Sequence, residues 1–200
     1  MYELKRLFKR HIEENLLKYI LILSLFAAGI LLGFVFSKNV SVSVSESLKQ
    51  EIGVIIDGFS EGAFNKIEIL KTSFFKNLRI FLLIFIGGFS VWVLPVSFAA
   101  ILSYGFSLGF TVGYFSLNFG GKGLAIAIVS VVFVFLVNVP VYITLGVVAL
   151  NNSKFKRYSR NGDGNLVAFS VIFGFLFIVS LISVAADAFV IPGIISIICS

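Results

Sequence analysis

IFLLIFIGGFSVWVLPVSFAAILSYGFSLGFTVGYFSLNF, residues 80–119, runs for forty residues without an Asp, Glu, Lys, Arg or His. About 20 helical residues cross the hydrocarbon layer of a bilayer, so the run is too long for one passage and suits two. Pro95 lies near its middle. Proline cannot donate to a helix ladder and biases its predecessor away from the α region, so the chain is expected to turn back at Leu94 and Pro95. In the second half Gly105, Gly109 and Gly113 recur at i, i+4 on one helix face. Without a Cβ they let another helix approach backbone to backbone, which is how helices gain contact energy in lipid.

The composition agrees. The 200 residues are 58% hydrophobic and 13% charged with a mean hydropathy of +1.06, whereas soluble domains carry about 25% charged residues. Most of the chain is therefore solvated by lipid. The net charge of +6 collects in two clusters, Lys5, Arg6, Lys9, Arg10 with Lys18, and Lys154, Lys156, Arg157, Arg160. Both abut apolar runs and neither belongs to a reader motif, so anchoring on the cytoplasmic side accounts for them and nucleic acid does not. Cys199 is the single cysteine, which excludes an intramolecular disulfide.

Toward the N-terminus, residues 37–79 form the one sizeable segment outside lipid. Val40, Val42 and Val44 alternate with serines as an extended linker, and Ser47 with Gln50 resembles a capping box that starts a helix. From there Leu48, Ile52, Ile55, Ile56, Phe59, Ala63, Ile67, Leu70, Phe74 and Leu78 recur every three or four residues, predicting one long amphipathic helix, or two broken near Gly58 and Gly62. Residues 19–36 are uncharged and long enough to cross. No A-x-A-like site follows, so they read as a retained span rather than a signal peptide. Residues 1–18 read as an amphipathic leader along the inner headgroups. His11 sits on its polar face with no second ligand at a metal-binding offset.

Toward the C-terminus, residues 120–150 hold a turn and another span. Gly120-Gly121-Lys122-Gly123 fails the P-loop pattern, because Ser116 stands where its first glycine belongs and Gly123 where Ser or Thr belongs. Asn138 and Pro140 interrupt the span, predicting a kink with the Asn138 amide serving a freed backbone group or a neighbouring helix. Residues 151–165 are a basic loop; 161–165 lack the leading Asp and closing Glu of a calcium loop. Residues 166–186 are a further span, and Asp187 opens an apolar tail, 187–200, that contains Pro192.

Charge sets the number of crossings. If residues 80–119 cross once, the basic clusters fall on opposite sides; if twice, both lie in the cytoplasm. The second arrangement gives an all-α membrane protein: a five-span helical bundle of residues 19–36, 80–94, 95–119, 120–150 and 166–186. Its N-terminus is cytoplasmic, and the amphipathic segment between spans 1 and 2 is extracytoplasmic. Gly105, Gly109 and Gly113 are the candidate packing face, and Asn138, Pro140, Asp187 and Pro192 the candidate functional polar or kink positions.

Several of these landmarks together resemble one family: the leader Arg10-His11-Ile12-Glu13-Glu14-Asn15 with Tyr19 entering the first span, the helix of Gly105, Gly109 and Gly113, Pro140 in the fourth span, and Ala186-Asp187-Ala188-Phe189-Val190-Ile191-Pro192 after the fifth. In order and length they are similar to stage II sporulation protein M of endospore-forming Firmicutes, over essentially the whole chain. The resemblance implies a non-enzymatic scaffold of the engulfment machinery, resident at the sporulation septum in the cell membrane. Its implied partners are stage II sporulation proteins D and P, which degrade peptidoglycan.

The residues themselves fit a non-catalytic chain. Glu46, Glu51, Asp57, Glu61 and Glu68 lie on the polar side of an amphipathic helix, where solvation explains them, and no metal or cofactor site is expected. The bilayer is the one partner the composition demands, and self-association into a homo-oligomer is left open. The competing class is a transporter or channel subunit with a polar path near Asn138 and Asp187, since ionisable groups inside membranes often mark such paths.

Overall fold

A computed structural model describes residues 13–60, 65–155 and 163–199, which are helical apart from short turns. The helices are α1 (Leu16–Lys38), α2 (Val42–Ser60), α3 (Lys66–Gly87), α4 (Leu94–Phe155), α5 (Asp163–Phe189) and α6 (Ile191–Cys199). Among the described residues, four stretches are long and apolar enough to cross a membrane: Leu16–Lys38, Leu94–Gly121, Phe135–Ser153 and Val167–Ser196. The chain is an integral, multi-pass, all-helical membrane protein.

α1 is apolar all round, as a helix bathed mostly in lipid must be. It buries one line, Ile22, Phe26, Gly29, Gly33 and Ser37, against the first arm of α4. The contact is glycine against glycine. A Cβ added at Gly105 would stand 2.5 Å from the Phe26 carbonyl oxygen, one at Gly109 would run into the Ile30 backbone, and Gly29 and Gly33 meet the backbone at Leu102 and Phe106 in return. Gly113 lies on the Ser37 side chain. Each partner thus offers small residues at every fourth position, and the two backbones touch.

α3 is polar in its first half and apolar in its second. Asn65 starts it: the side-chain oxygen accepts from the Ile67 N–H at 3.1 Å and the Glu68 N–H at 3.4 Å, and Glu68 in the first turn suits the positive end of the helix dipole. Further along, Phe81 packs edge-on to Phe177, Tyr142 and Phe173, with ring centroids 5.1, 5.5 and 6.4 Å away, which fastens α3 to both α4 and α5.

Four sequence expectations change. The stretch around Val42 and Val44 is the start of α2, not an extended linker, because a lone extended segment has no partner for its backbone groups whereas a helix satisfies its own. Ser47 is consequently inside that helix, donating to the Ser43 carbonyl at 3.1 Å, instead of capping it. The chain reverses across residues 88–93, not at Leu94 and Pro95; Pro95 is the second residue of α4, where a missing N–H costs nothing. The long helix keeps helical angles through Pro140 and departs from them only at Gly120, whose φ of 58° and ψ of −144° need a glycine. The apolar tail is the end of α5 followed by α6. The leader up to residue 12, the break near Gly62 and the centre of the basic loop lie outside the described residues.

Polar groups tie one end of the bundle together. Lys18 donates to Asn15 at 2.7 Å and to Asn151, Asn151 donates to Asn15 at 3.1 Å, and Asn152 donates to the Gly88 carbonyl at 2.9 Å. At the other end the Tyr114 hydroxyl donates to the Ser45 carbonyl at 2.7 Å.

Two expectations follow. Gly109→Leu should lower the unfolding free energy of the purified protein by about 1–3 kcal/mol, the usual cost of overpacking, while Gly174→Ala, which meets nothing within 4 Å, should leave the melting temperature unchanged. Trp92, the single tryptophan, is 93% exposed in the 88–93 turn, where an indole belongs at the headgroup level. Its fluorescence should be quenched more by lipids brominated near the headgroup than by lipids brominated at the chain end.

Candidate functional site

In lipid a polar side chain has no water to fall back on, so those inside the bundle must find each other. α3 contributes Asn77, one turn before Phe81 on the buried face. α4 contributes Asn138 and Tyr142, which share a face at i, i+4. α5 contributes Ser180 and Ser183, at i, i+3. The Asn77 amide donates to Ser180 Oγ at 2.8 Å and its carbonyl oxygen accepts from the Tyr142 hydroxyl. Ser183 Oγ donates to Asn138 Oδ1 at 2.8 Å. Both serines also lie against carbonyls of their own helix, Ser180 on Phe177 and Ser183 on Ser180. The network joins three helices through groups that are all buried.

This network floors a cavity of about 350 Å³. Asn77, Tyr104, Asn138, Tyr142 and Ser183 form its polar end; Ser73, Lys76 and Asp187 stand beside them; α2 and α6 add Ile52, Ile191, Pro192 and Ile195. Asp187 faces Ser73 and lies within the field of Lys76. Tyr104 is 3% exposed, its ring meets Tyr142 edge-on with centroids 4.6 Å apart, and its hydroxyl has no hydrogen-bond partner. The volume is at the small end of ligand sites and holds about a dozen waters.

Of the residues singled out from sequence, Asn138, Asp187 and Pro192 line this cavity. Pro192 is fully buried in the first turn of α6. Pro140 is exposed and is not part of the lining; its carbonyl accepts from Thr144 Oγ1 at 2.8 Å. Gly105, Gly109 and Gly113 face α1, and belong to packing rather than to the cavity. Sequence reasoning missed Asn77, Tyr104, Tyr142 and Ser183. For Asn77 a signal existed: Ser73, Asn77, Ile80, Ile84 and Gly87 recur at helical spacing, so the asparagine sits in the apolar stripe and not on the charged face. Among the described residues no group of three or more His, Cys, Asp or Glu is placed to hold a metal ion.

Comparison with known families matches residues 22–195 to the family described as stage II sporulation protein M. Neither the curated proteins nor the solved structures contain a match.

The network predicts an unequal response to truncation. Asn77→Ala strands the Tyr142 hydroxyl and should cost about 1–3 kcal/mol; Asn138→Ala should cost less, since Ser183 keeps its bond to the Ser180 carbonyl. Adding Tyr142→Phe to Asn77→Ala should then cost little more, a non-additivity readable in a double-mutant cycle of thermal stability.

Proposed function

The chain belongs to the stage II sporulation protein M family and is a membrane protein of sporulation engulfment; from that premise we propose a scaffold that holds the peptidoglycan-degrading stage II sporulation proteins D and P at the septal membrane. The observation that carries this reading is α2. It packs on the bundle through α6 and through Ser45 on Tyr114, and leaves Val42, Val44 and Val54 exposed beside Glu46, Lys49, Gln50 and Glu51. A helix so lightly attached, with apolar and charged groups outward, offers a docking face for a second protein.

Docking wall enzymes requires α2 to lie outside the cytoplasm, and five passages with a cytoplasmic N-terminus give that arrangement. In this reading α3 is the fifth passage. Its 22 residues extend about 33 Å at 1.5 Å each. Its far end, Gly88, meets Asn152 in the same cluster as Lys18. Lys18, inside that cluster, and Lys154, just after Asn151 and Asn152 in sequence, then share the cytoplasmic face.

One observation favours a second reading, a transporter or channel subunit: Asn138 and Asp187 line a common cavity. A path through the bundle would fail when the Asp187 charge or the Asn138 amide is removed, so Asp187→Asn and Asn138→Leu separate the two readings by their effect on sporulation with the docking face intact.

A photo-crosslinker at Lys49 or Gln50 is expected to capture the wall hydrolases in sporulating cells; recovery of neither removes the scaffold role. In a Cys199→Ser background, cysteines at Ser43 and Gly121 should react with an impermeant maleimide from outside, and those at Trp92 and Ser159 only after lysis.

A further inference from the structure

Arg79 lies at a depth where a guanidinium needs a partner. Asn77, two residues before it, donates to Ser180 at 2.8 Å, and Phe81, two residues after it, packs on Phe177 with ring centroids 5.1 Å apart. Both also meet Tyr142. Phe177 and Ser180 stand near the middle of the span Val167–Ser196, and Tyr142 near the middle of Phe135–Ser153. These contacts fix Arg79 at mid-membrane level. Two residues are about half a helical turn, so Arg79 faces out of the bundle while Asn77 and Phe81 face in, and it is exposed. Phe75, Leu82 and Ile86 share its face and are exposed as well. Among the described residues no hydrogen bond or ion pair reaches Arg79, whereas Lys76, one turn away, has Asp187 in its field. Gly88, at the cytoplasmic end, is about 13 Å further along the helix, and helical side chains lean toward the N-terminus, away from that end. Lys66, at the opposite end of α3, is more distant still. An arginine stem spans neither distance, so its charge does not reach a headgroup layer by stretching along the helix.

We propose that this face of α3 receives a membrane-spanning helix of another protein that carries an Asp or Glu at mid-span. The carboxylate closes a bidentate pair with Arg79, and Phe75, Leu82 and Ile86 pack on the apolar side chains around it. Ionisable groups inside a bilayer pair with one another, and the guanidinium fork matches a carboxylate. A second copy of this chain does not fit. Residues 16–38, 94–153 and 167–186 contain no Asp or Glu, and Asp187 lines the cavity instead. Two copies related by a twofold axis along the membrane normal would set Arg79 against Arg79. A lipid phosphate has the right charge but would have to be drawn to the middle of the bilayer. The site requires α3 to be the fifth passage and does not involve α2.

The probe is a synthetic spanning peptide rich in leucine and alanine with one central Glu, compared with the same peptide carrying Leu there. Each bears an acceptor dye and is reconstituted with the full chain, labelled with a donor at Cys199, in phosphatidylcholine vesicles at mildly alkaline pH. Energy transfer should show the Glu peptide associating about tenfold more tightly than the Leu peptide, the effect of one charge-assisted hydrogen bond. Arg79→Leu, an apolar replacement on an exposed face, should abolish that preference. Arg79→Lys, which has no fork, should keep part of it, and Ser24→Ala on α1 should keep all of it. Equal association of the two peptides with the wild type overturns the proposal, as does a preference that survives in Arg79→Leu. A preference erased by phosphatidylglycerol in the vesicles also overturns it and assigns the guanidinium to lipid phosphate. In a Cys199→Ser background, Arg79→Cys should resist an impermeant maleimide from either side; labelling there overturns the passage of α3 itself, and the pairing with it.

Discussion

Two helices touching backbone to backbone hold the rest in place. In hydrocarbon there is no water to expel, so helices associate through dispersion contacts and polar pairs. Dispersion rewards only atoms within a few tenths of an ångström of contact. Gly29 and Gly33 on one helix and Gly105 and Gly109 on the other bring α1 and α4 to that distance. The interface positions Ile22 and Phe26 beside Ile101 and Tyr104 in a common core, and so decides which face of α4 turns toward α3 and α5. Tyr104 and Gly105 are consecutive: the glycine meets α1, and the tyrosine is carried onto the cavity wall.

Where the glycines set distance, the buried amides and hydroxyls set register. Aliphatic side chains slide past one another with small changes in energy, whereas Asn77 reaches Ser180 and Tyr142 in one alignment of the three helices only. A cluster of phenylalanines, Phe81, Phe85, Phe169 and Phe173, fills the same layer toward the 88–93 turn. Polar specification and aromatic filling therefore share one interface between α3 and α5. The cavity lies at its other end, where α2 and α6 add to its walls.

Much of this architecture was legible in the residues, for physical reasons. Uncharged runs as long as the bilayer is thick announce themselves by length, and the fourfold spacing of Gly105, Gly109 and Gly113 announces a contact face. Its counterpart, Gly29, Gly33 and Ser37, obeys the same spacing and is equally visible once a partner is sought. The turn was misjudged by a few residues because a proline marks the beginning of a helix as readily as the end of one, and Pro95 begins α4. The α2 start was misjudged because alternation of Val and Ser carries no information about whether a neighbouring strand exists. The cavity was illegible for another reason: Asn77, Tyr104, Asn138 and Ser183 come from three helices, and their convergence is a property of crossing angles that no local spacing records.

The bond between Lys18 and Asn151 joins residues 133 apart in the chain, and Asn77 waits 103 residues for Ser180. During synthesis, then, α1 and α3 both emerge long before the groups that complete them, yet they face that delay differently. α1, apolar on every side, is at home in lipid as a solitary helix. α3 carries Lys71, Lys76, Arg79 and a buried asparagine whose amide is met by Ser180 of α5. The groups that complete α3 are thus among the last to be made.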